Sequence, residues 1–97
     1  MGKFTVDGQT LKGSGALDTR HIAEFDSAAR ELVDSTDTDV TVDFTEVQYM
    51  TSAFLGLLMS LRSELAEQKR GIVMRASPTV KNLLRMTGLD TQMVVRD

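Results

Sequence analysis

At 97 residues, 41% hydrophobic and 26% charged, the chain is long enough for one hydrophobic core and too short for two. A single domain over 1–97 is therefore expected. The net charge of −3 argues against a nucleic-acid or acidic-membrane partner. The absence of cysteine excludes disulfides, thiolate metal sites and cysteine nucleophiles, and the single His21 excludes multi-histidine metal sites. No cofactor or metal is expected. The longest apolar run, 53–59, is interrupted by Gly56 and too short to insert in a bilayer. Met1 to Thr5 leads into no signal-peptide core, and Val6 stands where an acylation motif on Gly2 wants Ser or Thr. A soluble, cytoplasmic domain is the expectation. Charge is uneven: residues 1–46 hold ten acids against four bases, residues 47–97 four acids against seven bases. Two oppositely charged solvated faces explain this, as would a polar protein partner that reads one of them.

Phe4 and Val6 alternate with polar neighbours and run into Asp7-Gly8, a pair suited to a tight turn. The spacing predicts a hairpin whose return strand is Gln9 to Lys12, broken by Gly13-Ser14-Gly15. Asp18 or Thr19 is placed to cap a helix over 19–34, because Ile22, Phe25, Ala29, Leu32 and Val33 recur at helical spacing. Val40, Val42 and Phe44 then alternate with Thr41 and Asp43 as a period-2 strand over 39–45. Thr51 or Ser52 caps a second helix reaching about Gln68, followed by an apolar strand over 71–75. Ser77-Pro78 supplies a cap hydroxyl and a proline at the first helical position. Val80, Leu83, Leu84 and Met86 form the predicted buried stripe, Gly88 stops that helix, and Met93-Val94-Val95 is a final edge strand. This order predicts an α/β fold: a small mixed sheet of about four to five strands against three or four helices. The crossover through the second helix should be right-handed and parallel.

That helix is the informative one. At about 100° per residue, Phe54, Leu58, Leu61 and Leu65 fall together, flanked by Leu55 and Leu57, with Met59 further round. The remaining sector holds only small residues: Ser52, Gly56, Ser60 and Ser63. Either the helix is deeply packed on its own sheet and the small residues are incidental, or they let a partner's backbone come close. Ser52 sits where a helix N-terminus tolerates negative charge, so a phosphate there would recharge a contact surface without unfolding the chain. An ordinary capping role is the alternative.

The segment Val40-Thr41-Val42-Asp43-Phe44-Thr45, with Val47-Gln48-Tyr49-Met50-Thr51-Ser52-Ala53-Phe54-Leu55-Gly56-Leu57-Leu58, resembles the signature of STAS domains. These are the anti-sigma factor antagonists of bacterial partner-switching systems and their relatives. Gly13…Leu17-Asp18 resembles the family's turn before the first helix, and Ser77-Pro78-Thr79-Val80…Leu83-Leu84…Thr87-Gly88-Leu89 its closing helix. The resemblance covers nearly the whole chain and implies a STAS-like fold. Signal-bearing members carry an aspartate, the phosphorylated serine, Ser or Thr, and a glycine; here Thr51, Ser52, Ala53 and Phe54 stand in those places.

The resemblance implies phosphorylation at Ser52, with Thr51 the second choice. It implies partner binding through Asp18, Asp43, Thr51, Ser52, Ala53, Phe54, Leu55, Gly56, Met59 and Ser60, with the two aspartates near Ser52. The implied partners are an anti-sigma factor that is a serine kinase, and a serine phosphatase that resets the site. Other relatives are constitutive accessory subunits of membrane transport assemblies, lipid-transport ATPase complexes among them, and also depart from the aspartate–serine pattern. The apolar shoulders of the helix equally suit a homodimer. An enzyme is disfavoured: neither Ser14 nor Ser52 lies in a nucleophile elbow, no phosphate-cradling glycine loop ends in Lys-Ser or Lys-Thr, and His21 is expected to be a solvated first-turn residue.

Overall fold

The computed structural model describes residues 3–96, so Gly2, considered above for acylation, lies outside the described residues. The chain runs β1 (Phe4–Asp7), β2 (Thr10–Leu17), α1 (Ile22–Ser35), β3 (Val40–Met50), α2 (Ser52–Glu67), β4 (Ile72–Ala76), α3 (Pro78–Thr87) and β5 (Val94–Arg96). Single 3-10 turns at Thr19–His21 and Leu89–Thr91 precede α1 and β5. The sheet order is β1-β2-β3-β4-β5. Among the described residues only the β1–β2 hairpin is antiparallel; the other pairs are parallel, as helical crossovers require. The expected α/β architecture is the one observed.

The hairpin turn falls one residue later than the sequence suggests. Asp7 pairs with Thr10, leaving Gly8-Gln9 as the two-residue loop, and Gly8 takes φ +62° at the first central position. That is a type II′ arrangement, for which glycine is the natural residue. Gly13-Ser14-Gly15 also departs from expectation, because β2 continues through it to Leu17. Here β3 inserts an extra residue twice, between the pairs Lys12–Asp43 and Ser14–Glu46, and between Gly15–Val47 and Ala16–Tyr49. The glycines mark these irregularities rather than a loop. Gly15 sits at φ +76°, and a Cβ on Gly13 would come within 2.8 Å of the Phe44 ring.

That close approach makes room for the aromatic centre of the core. Phe4, Phe25, Phe44 and Phe54 come from β1, α1, β3 and α2, and edge-to-face contacts join Phe25 to Phe4 at 5.4 Å and to Phe54 at 5.5 Å. Each such burial contributes about 1.5–3 kcal/mol before the entropy of ordering is charged against it. The predicted stripes of α1 and α2 are buried, apart from half-buried Ile22 and Leu57. In α3, Val80 and Leu84 are buried and Leu83 is half-buried, whereas Met86 is 74% exposed. Met86 was expected inside, but it lies about 200° around the helix from Leu84. The β4 run is not buried on both faces either: Ile72, Met74 and Ala76 point in, while Val73 is half-buried and Arg75 exposed. All the helices therefore cover one face of the sheet, and the other is a polar face carrying Lys12, Thr41, Asp43 and Arg75.

Candidate partner-binding site

β3 delivers the chain to the site at the bulged end of the sheet. Its last residue, Met50, pairs with Leu17, and the next backbone N–H, from Thr51, donates to the Leu17 carbonyl at 3.0 Å. Thr51 is the extended N-cap of α2, and its carbonyl accepts from the Phe54 N–H at 3.1 Å. Its hydroxyl makes no capping bond; Oγ1 is buried without a hydrogen-bond partner. The fold covers this hydroxyl, named above as the second-choice acceptor. Ser52 opens the helix with an exposed side chain.

From Ser52 an uncharged strip runs along the outside of α2. Ala53, Gly56, Met59, Ser60 and Ser63 are all exposed, with Met59 at 47%. Gly56, Met59, Ser60 and Ser63 line a shallow hollow that ends at Glu64 and Glu67. The two readings of this helix are compatible. Its wide apolar face packs inward, and its small residues leave backbone accessible outward.

Asp18 lies at the same end of the molecule, one residue beyond Leu17. It caps the turn before α1, and its carboxylate accepts from the Arg20 N–H at 2.9 Å. The Arg20 guanidinium closes a bidentate pair, with Nε 3.1 Å from Oδ1 and Nη2 2.8 Å from Oδ2. The hydrogen bonds from the Arg20 side chain and backbone together pull the Asp18 carboxyl down to about 2. His21 completes the cap: its Nδ1 accepts from the Asp18 N–H at 3.2 Å. Its side chain is only 18% exposed, so it is a capping residue rather than the solvated one expected.

Three expected contact residues add no side chain to this strip. Asp43 pairs in register with Lys12 and Arg75 in mid-strand, roughly 20 Å from the start of α2 at the rise of an extended chain. Its Oδ1 accepts from the Thr45 hydroxyl at 2.7 Å and N–H at 3.0 Å. Partial burial opposes its ionisation, but the Thr45 hydrogen bonds, together with the Arg75 and Lys12 charges, outweigh that and hold the carboxyl below its usual range. Asp43 thus belongs to the uncovered sheet face and not to the Ser52 site. Phe54 and Leu55 are the other two: both are buried, Phe54 fully, so neither side chain is offered to a partner. The bulk that Phe54 brings to the motif is absorbed by the aromatic cluster.

Two residues around the site escaped the sequence reading. Tyr49 is 53% exposed and, with Met50, Asn82 and Leu83, lines a hollow between the end of β3 and α3. The bulges shift the strand's phase, so no simple alternation identifies it. Arg20 had a legible signal, an Asp-x-Arg spacing at a helix start, but its bidentate geometry is a tertiary fact. Among the described residues no group of three or more His, Asp or Glu gathers to hold a metal, and no helix is long and apolar enough to cross a membrane.

A family model described as "Mlab, STAS domain" matches residues 3–96. The chain belongs to the STAS family. No curated protein matches it. Membership places this STAS domain among interaction and signalling modules.

Proposed function

We propose that this STAS domain is a non-catalytic antagonist of an anti-sigma factor, acting in the cytoplasm of a bacterium to control transcription by partner switching. The observation that carries the reading is the pairing of an exposed Ser52 hydroxyl with the uncharged, small-residue strip of α2. The strip lets the backbone of an anti-sigma factor kinase approach closely, while Asp18 borders its end. Phosphorylation of Ser52 by that kinase adds about −1.5 to −2 of charge at the rim of a tightly packed contact and weakens it. The helix N-terminus tolerates the charge, so the domain stays folded. A serine phosphatase restores binding.

A second reading is a constitutive accessory subunit of a transport or signalling assembly. The threonine at position 51 favours it, because the motif's carboxylate is absent and the hydroxyl in its place is buried without a partner. Affinity capture with wild type and Ser52→Asp as parallel baits separates the two. Recovery of a small serine kinase by wild type alone supports the switch. Recovery of one transport subunit by both baits, with both folded by circular dichroism, supports the constitutive subunit and rejects the switch.

A further inference from the structure

The turn before α1 carries an ion pair that lies outside the hydrophobic core. Asp18 and Arg20 form a bidentate contact on the surface, and the Arg20 side chain is 81% exposed. Among the described residues the guanidinium hydrogen-bonds to this one carboxylate alone, whose capping bond to the Arg20 N–H is separate. Two connections bring this turn beside the start of α2. Leu17 pairs with Met50 in adjacent strands, about 5 Å apart, and the Leu17 carbonyl holds the Thr51 N–H at 3.0 Å. Asp18 and Ser52 are the residues immediately after these two partners.

We propose that Arg20 is the phosphate-responsive residue of this domain: a phosphate on Ser52 draws the Arg20 guanidinium away from Asp18. The inference rests on the partner-switching reading and adds the group that senses the modification. A dianionic phosphate offers the same bidentate acceptor geometry as the Asp18 carboxylate with more charge, so it competes well for one exposed guanidinium. The first turn of α2 holds no acid, and the charged or titratable groups of the facing turn are Asp18, Arg20 and His21. Asp18 repels the incoming phosphate and Arg20 attracts it; the long, solvated arginine is free to follow the larger charge. Asp18 keeps its capping bond to the Arg20 N–H, so the exchange leaves α1 in place.

The test uses the full chain with phosphoserine installed genetically at position 52, read by phosphorus NMR as a function of pH. No kinase or partner is required, so failure here and failure of partner switching are distinguishable. With Arg20 present the second phosphate ionisation is expected about one unit lower than in Arg20→Gln, the shift an adjacent cation produces. Arg20→Lys should recover part of it, and Asp18→Asn should deepen it by releasing the guanidinium. Superimposable titrations for the parent and Arg20→Gln, with unchanged circular dichroism spectra, overturn the proposal.

Discussion

Helices α2 and α3 both start from a hydroxyl residue at the end of a strand, and the two starts are built in opposite ways. At α3 the Ser77 side chain is buried and doubly used: Oγ donates to the Val47 carbonyl at 2.7 Å and accepts from the Val80 N–H at 3.3 Å. Pro78 follows with no N–H to satisfy. At α2 the Thr51 hydroxyl is buried with no partner, and the Ser52 hydroxyl beside it faces outward. One start is a fastening and the other is a surface. The difference teaches that a serine or threonine before a helix is not automatically a cap. A start whose hydroxyls do nothing for the fold is the one at which a modification costs the fold little.

Ser77→Ala should break the fastening and give the largest effect. It removes a cap and leaves the Val47 carbonyl without its partner, for a loss of about 2–3 kcal/mol read by urea denaturation. Thr51→Val is expected to act in the other direction. It swaps a buried, unpaired hydroxyl for a methyl of similar shape and should be neutral to stabilising by about 1 kcal/mol in the same assay. A loss comparable with that of Ser77→Ala would show that the two starts are alike.

The far end of α2 supplies a control on the scale. Lys69 sits at φ +59° in a turn where its N–H and that of Arg70 return to the Ala66 and Leu65 carbonyls. Glycine is the usual residue at that position, so Lys69→Gly should stabilise by about 1 kcal/mol, visible as a raised Tm. Ser52→Ala should move stability by less than about 0.5 kcal/mol, as expected for a surface position.

The smallest effect concerns acid. The folded-state pKa of Asp18 is lowered from 3.8 to about 2, so its contribution is present above pH 3.8 and is lost as pH falls toward 2. The Asp18→Asn variant should lack that step in an acid titration followed by circular dichroism, while wild type retains it.

Much of this molecule was legible from pattern alone. Element types and order follow from periodicity, and the fate of α2 is readable from Phe54, Leu58, Leu61 and Leu65 falling on one side and Ser52, Gly56, Ser60 and Ser63 on the other. Local chemistry also spoke for itself at Asp18, Ser77-Pro78 and Gly88, because caps and stops depend on nearest neighbours along the chain. The candidate site was only partly legible. Ser52, Gly56, Met59 and Ser60 are exposed, whereas Asp43 and Phe54 carry residue types that fit a motif while their surroundings give them other work.

What tertiary structure alone decided concerns relations between strands and across the core. The glycines at 13 and 15 read locally as a break, yet β2 runs through them, because the neighbouring strand supplies two extra residues and Phe44 needs the space a Cβ would fill. The same bulges carry β3 on to Met50 and set Asp18 beside the start of α2. Periodicity describes one element at a time; register, bulges and the direction of an ion pair depend on residues far apart in sequence, and only the folded chain brings those together.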